Sequence, residues 1–497
     1  MSIAQNNDLT ANTRKVYLVL LVIAGFFALL PILLAYQDIW DGMHVYEAVK
    51  LQNMAELKTW FFESRWTLQY YLYLATYYLQ NITGVSYKIW TNILTCFVLV
   101  GICLETKRIF CEELRGETEF ALLAVLVVLV FPPWATLMSS VLAFHITCVW
   151  LFLFSLRLYR QHKLFAVIPF VLSLSLNSVF AFAVGYALFD GMMTVDRESA
   201  RSKLLRIALF STCLLGLFVY YRTVFAPYGE YLGYNSYSPR WSSFLNYGVV
   251  VVLVAILGYC LYRVGKLYGA GKQMVRQLGG CLILLFFAGL AYWYVGKPIK
   301  VEGTNSFTPR QAYLAAVPIS MLIGIVAQYG SKAIGRKITY GIVGLILTVS
   351  FCYQFAAYQQ KYTQLLFENM FISLLEEGEE PLSGVVRIDV DYDLVPKYHR
   401  DFATTADWLF LEAYGRRDWS TVVRTKGKGR DISSSELQML AQRAIDRQGL
   451  APKDVHETVM DYSLDGFRPF GNPLYYYYYF AKDYERFNPR LSTLIVK

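Results

Sequence analysis

Apolar residues in this chain come in long blocks separated by short basic loops, with neither the period of a half-buried strand nor that of a surface helix. Blocks of about 18 to 22 apolar residues are what a ~30 Å hydrocarbon layer asks of a helix. Lipid offers no partner to the backbone groups of an open strand edge, so blocks of that length read as helices. The pattern predicts an α-helical polytopic membrane protein with about eleven spanning helices. They fall at 16–36, 87–104, 120–131, 141–158, 165–195 (two short helices broken near Asn177 and Ser178), 204–221, 247–262, 278–295, 312–329 and 338–358. The Tyr-rich stretch at 67–83 is assigned to the membrane interface, where tyrosine is favoured. Were it to cross, Lys107, Arg108 and Arg115 would fall on the wrong side.

The basic loops orient this threading. Arg14 and Lys15, then Lys107 and Arg108, Arg157 and Arg160, Arg197 to Arg206, Arg263 to Arg276, and Lys332 to Lys337 all lie on one side. The positive-inside rule makes that side the cytoplasm. The N-terminus is therefore expected inside and residues 359–497 outside. The block at 16–36 is too long for a cleaved leader and no A-x-A site follows it, so it reads as an uncleaved first helix.

Composition agrees with this class: of 497 residues, 56% are hydrophobic and 16% aromatic, more than a soluble protein of this size usually carries. The formal charge of +9 is accounted for by the basic loops. No Lys/Arg stripe with interleaved aromatics is present, so nucleic acid is not an expected partner, whereas the lipid bilayer is. Cys96, Cys103, Cys148, Cys213, Cys260, Cys281 and Cys352 fall in expected spans and Cys111 in a cytoplasmic loop, with none in the tail. Their spacing predicts neither a disulfide framework nor a zinc site.

Two domains follow: a transmembrane domain over 1–358, with a first outer loop at 37–86, and a small soluble α+β domain over 359–497. In the latter, 385–390 (VVRIDV) alternates like a strand. Residues 434–448 have helical period behind serine caps. The aromatic run at 475–480 suits a strand or a surface against the membrane.

The first outer loop holds the most suggestive polar groups, Asp38, Asp41 and His44. A carboxylate at the membrane surface, partly shielded from water, can act as a general base or hold a divalent cation. The plainer alternative is a solvated loop that merely ends a helix. His145, in the outer half of a helix, is a candidate by position, though one histidine can also satisfy a backbone carbonyl.

The layout resembles the GT-C superfamily of integral membrane glycosyltransferases. Asp41-Gly-Met-His44-Val-Tyr46 stands where that family has its acidic motif, after a first helix and in a long outer loop. Arg65-Trp66-Thr67-Leu68 looks like the segment that opens the family's juxtamembrane helix, and 87–108 like its second span with a basic end. Thr308-Pro309-Arg310-Gln311-Ala312-Tyr313-Leu314, ahead of Pro318, is similar to the late Arg-Tyr-Leu and Pro segment. Asp41 is followed by Gly where a second acid is frequent, and Thr67 stands where Pro is common. By size and outer tail the chain looks like bacterial glucosyltransferases that decorate O-antigen.

The resemblance implies transfer of a sugar from a polyprenyl-phosphate-linked donor to an extracytoplasmic glycan or glycolipid acceptor, by inverting direct displacement in the bacterial inner membrane. Asp41 or Asp38 would take the acceptor proton. No cofactor is required, although Mg or Mn at the acids is compatible. Outer basic residues break the charge bias, and donor phosphate is one reason for them. Arg310 leads, followed by Arg222, Lys297 and Arg65; the alternative is snorkelling or pairing with nearby acids. His44, Tyr46, Tyr234, Tyr237 and Trp241 would contact sugar or acceptor, since aromatic faces stack on sugar rings. Those tyrosines serve equally as an interfacial belt. The competing classes are an O-antigen polymerase and a transporter or flippase of lipid-linked saccharide. Against the transporter, no paired broken helices occur in two similar halves.

Overall fold

A computed structural model of the chain describes residues 3–39, 41–64, 66–193, 200–224, 237–240, 258–259, 262–263, 266, 271–299, 308–381, 384–390, 399–416, 419–425, 439, 442, 456–465, 467 and 474–496. The described chain is mostly helical, with a small sheet near its C-terminus. It divides into two units. The first comprises Met1–Tyr36 and Lys58–Phe355, the second Gln37–Leu57 and Ala356–Lys497.

Six helices of the described chain are long and apolar enough to cross a membrane: Lys15–Leu34, Tyr87–Glu113, Val141–Arg160, Gly271–Tyr294, Arg310–Ala333 and Arg336–Glu377. Thr118–Leu129 and Pro132–Met138 make a seventh if this pair, bent by 49°, is one span. The expected number was larger. Leu164–Ser173, Ser178–Met193 and Ile207–Tyr220 are apolar but shorter, and most of 247–262 lies outside the described residues. The apolar helices suggest membrane association. In α1 (Ile3–Leu34), Val16, Val22 and Phe26 are exposed while Tyr17, Ala24, Ala28 and Ile32 are buried. An apolar surface of that extent needs a cover other than water.

In the first unit, α4 (Thr67–Thr83) is a 17-residue helix outside the set of candidate spans. It is followed by α5 (Tyr87–Arg108), whose N-cap Ser86 accepts the Lys88 backbone N–H at 3.2 Å. Next come α6 (Thr118–Leu129), α7 (Val141–Arg160), α8 (Val167–Ser173), α9 (Asn177–Met193) and α10 (Ala200–Val224). The break expected near Asn177 falls at residues 174–176. α11 (Gly271–Tyr294) packs along α9, where Gly185 lets the backbones approach: a Cβ there would lie 2.6 Å from Cβ of Phe287. A 3-10 turn, Thr308–Ala315, leads into α12 (Ala316–Ala333). At their C-terminal ends α5 and α7 are tied together by Glu105, which meets Arg108 at 2.9 Å and Arg157 at 3.2 Å, and α7 is tied to α9 by Arg160 and Asp190.

The last long helix, α13 (Arg336–Glu377), continues beyond the expected end of the span. It runs 42 residues, well past position 358 where the hydropathy falls. No Gly or Pro occurs between Gly344 and Gly378, so nothing ends the helix until Gly378 and Pro381. Beyond Phe355 its buried residues include Tyr362, Leu365, Leu366 and Phe371, an apolar face that water alone would not support.

The second unit is built on that face. Its sheet runs in the order β2-β1-β3-β4. The central β1 (Gly384–Val390) is parallel to β2 (Trp419–Thr425) and β3 (His456–Asp465), while β4 (Asn488–Val496) is antiparallel to β3. α14 (His399–Tyr414) makes the crossover between the parallel pair β1 and β2. Val386, Ile388 and Val390 are buried on one face, while Arg387 and Asp389, which alternate with them, are half-buried. The Tyr462 hydroxyl donates to the Phe367 carbonyl at 3.1 Å, fixing β3 on α13. The tyrosine run is not a strand but a short helix, α15 (Tyr475–Ala481). Tyr475, Tyr478 and Tyr479 are buried at helical spacing, Tyr475 stacking on Phe467 at 5.3 Å and Tyr479 meeting Tyr362 at 5.1 Å. The expected helix at 434–448 lies outside the described residues, apart from two helical positions, 439 and 442.

Candidate functional site

Polar groups of the first unit converge on one cavity of about 350 Å³. Its wall is mainly apolar, with Leu176, Phe180, Leu214, Phe218, Leu290 and Val295 among the contributors. The polar groups on it include Trp66, His145, Asn177, Ser178, Tyr292, Lys297, Arg310 and Gln311. Most of them come from the start of α7, the start of α9, the end of α11 and the 3-10 turn before α12, and Trp66 is the N-cap of α4.

Several lining groups are held in place. His145 is 8% exposed, its Nδ1 is 3.3 Å from the Val141 carbonyl, and Trp66 lies edge-on to it at 5.4 Å. The Tyr292 hydroxyl donates to Ser178 at 3.3 Å. Tyr294 meets the ring of Tyr237 at 5.0 Å, and its carbonyl accepts the Ser238 N–H at 3.1 Å. Burial, helped by the charge of Arg310, lowers the Lys297 ammonium to about 8. Charging a cation in an apolar wall is costly, and a bound anion offsets that cost. The cavity is thus chemically suited to a group that is anionic at one end and greasy at the other.

The acidic segment belongs to the second unit. α2 (Gly42–Lys50) starts at N-cap Asp41, whose side chain makes no capping bond and is half-buried. Asp38 is 3% exposed and accepts the Ile39 backbone N–H at 3.0 Å. Its carboxylate is pressed on Gly42, where an added Cβ would lie 1.9 Å from Oδ1. A buried carboxylate at a helix N-terminus is stabilised by the aligned peptide dipoles. Within this unit Gln37 and Asn369 exchange amide hydrogen bonds of 2.7 and 2.5 Å. Glu47 accepts from the indole of Trp408 at 2.8 Å, and His44 meets the same indole edge-on at 4.9 Å. Met43, Trp408 and Leu411 form a small core with Tyr46 against it, and Lys50 pairs with Glu412 at 3.2 Å.

Of the residues singled out in the sequence, Lys297 and Arg310 thus share one cavity, with Tyr237 packed on its Tyr294. Asp38, Asp41, His44 and Tyr46 lie together in the second unit. Arg222 lies on α10. Arg65, Tyr234 and Trp241 lie outside the described residues. Glu47, Trp408, Asn177 and Gln311 were not anticipated. Glu47 could have been found four positions from Met43 on a short helical pattern, but Trp408 has no local signal. Among the described residues no group of three or more His, Cys, Asp or Glu side chains could hold a metal ion.

Comparison of the chain with protein-family models, with curated proteins and with solved structures finds no match.

Proposed function

We propose that the chain is an integral membrane glycosyltransferase of GT-C type that moves a sugar from a polyprenyl-phosphate donor to an extracytoplasmic glycan or glycolipid. The observation that carries this is the meeting of Lys297 and Arg310 in a largely apolar cavity. Arginine offers a planar fork for phosphate oxygens and lysine a point charge beside it. The apolar wall suits the first isoprene units of the carrier. The four helix ends around the cavity are the ones that the charge bias assigns outside, where a lipid-linked sugar is presented.

In the proposed reaction a general base takes the proton of an acceptor hydroxyl, and the oxygen attacks the anomeric carbon with inversion. The bond from that carbon to the phosphate oxygen breaks. Polyprenyl phosphate leaves with the bonding pair, its charge met by Arg310 and Lys297. Asp41 suits the base better than Asp38, because it is half-buried whereas the Asp38 carboxylate is closed in against Gly42.

The test uses the full chain in nanodiscs with polyprenyl-phosphate hexose carrying a radiolabelled sugar, and cell-envelope glycan as acceptor. Label is expected in the glycan without any ion gradient, and Arg310→Ala should reduce transfer by about 10- to 100-fold. Label that crosses the bilayer still attached to its carrier would identify a transporter instead.

A further inference from the structure

Charge alone does not distinguish a sugar phosphate from a bare lipid phosphate, yet the cavity contains more than charge. Gln311 is 5% exposed and lines the cavity directly beside Arg310. Its side-chain oxygen is buried and has no hydrogen-bond partner among the described residues. Asn177, at the start of α9 on the same cavity, is in the same condition: its side-chain oxygen is also buried and lacks a partner there. A buried amide left unmatched is expensive, and native proteins keep few of them. Two on one cavity, from elements more than a hundred residues apart in sequence, mark a place where a ligand supplies the missing partners.

The chemistry of that ligand is constrained. The amides are neutral, so they do not add to phosphate binding as Lys297 and Arg310 do. They ask for donors, and an isoprene chain has none. A hydroxyl both donates and accepts, so it satisfies an amide whichever end is presented. Beside them stand the Tyr292–Ser178 hydroxyl pair and the indole of Trp66, surfaces on which a pyranose can be bonded and stacked.

We propose that Gln311 and Asn177 are specificity-determining residues that accept hydrogen bonds from the hydroxyls of a hexose seated next to the phosphate, so that the cavity prefers lipid-linked sugar to the bare lipid phosphate. This rests on the reading of the cavity as a donor site. It adds a discrimination which that reading does not require. A site built to bond a hydroxyl rejects the analogue that lacks it, because its own buried groups are then stranded. The preference also has a use: the spent carrier, once its sugar is gone, is held less tightly and can leave.

The experiment is equilibrium binding to the full chain in nanodiscs. The probes are polyprenyl phosphate and its glucosyl, galactosyl and mannosyl esters, each competing against a fluorescent polyprenyl phosphate. At least one hexose ester is expected to bind about tenfold or more tightly than the bare phosphate. Gln311→Leu and, separately, Asn177→Leu should each remove about three- to tenfold of that preference, read as the ratio of ester to bare-phosphate affinity within the same variant. Measurable binding of the bare phosphate reports an intact cavity. Equal binding of the bare phosphate and every ester would overturn the proposal, as would a preference that survives in the Gln311→Leu, Asn177→Leu double variant. Discrimination without transfer to glycan would support the role of the two amides and count against the catalytic function instead. Transfer without discrimination would do the reverse.

Discussion

The chain concentrates its candidate chemistry in two places that are built in opposite ways. Around Lys297 and Arg310, long helices bring their ends together, and a few polar groups stand in a wall that is otherwise apolar. Around Asp41, a nine-residue helix is held by partners far away in sequence, such as Trp408, 361 positions beyond Glu47. The first arrangement follows from helix packing and would exist whatever the polar residues were. The second depends on specific polar and aromatic contacts. A cavity between packed helices tolerates change at its lining, whereas a short docked helix shifts when one of its contacts is lost.

The sharpest test of this contrast is Asp41→Asn. Sugar transfer should fall by about 10²- to 10⁴-fold, the usual worth of a general base, while the affinity of the cavity for polyprenyl phosphate stays the same. An equal loss of both would tie the two places together. Gly42→Ala comes next. The new methyl group would overlap the Asp38 carboxylate, and the overpacking should cost the second unit about 1–3 kcal/mol. Limited proteolysis followed across a denaturant series would read that cost, with cleavage rising in the second unit ahead of the first.

A smaller effect is expected from pH. Lys297, lowered to about 8 by burial and by Arg310, is charged below that value and neutral above it. Binding of polyprenyl phosphate should therefore weaken roughly three- to tenfold as pH rises through the midpoint. The bound phosphate will push that midpoint upward. Lys297→Met should flatten the profile at the weaker limit. The smallest effect is predicted for Lys50→Met, which breaks a partly exposed pair with Glu412 and should change stability by no more than about 1 kcal/mol.

What the sequence made legible, and what it hid, divides along the same line. The strand at 385–390 was readable because its apolar and charged residues alternate, with Val386, Ile388 and Val390 on the buried face, and the break before Asn177 because polar residues interrupt an apolar block. Lys297 and Arg310 stood out as cations on the wrong side of a strong charge bias. Gln311 and Asn177 did not, since a neutral amide breaks no charge rule and shows its cost only when its surroundings are known. That α13 continues past 358 was hidden because hydropathy falls there, although no Gly or Pro is present to end the helix. The tyrosine run was ambiguous because Tyr favours strands while the burial of Tyr475, Tyr478 and Tyr479 is set by Phe467 and Tyr362, residues with no local signature. The grouping of Gln37–Leu57 with the C-terminal unit was hidden for the same reason.

The contact between Asp38 and Gly42 constrains how this segment can vary. While position 38 keeps its carboxylate, position 42 is closed to anything with a side chain; once position 38 becomes Ser or Gly, alanine fits at 42. Position 38 can lose bulk alone, whereas position 42 gains it freely only after position 38 has done so. A library randomised at both codons and selected for folded protein should therefore return side chains at 42 mainly where 38 is small.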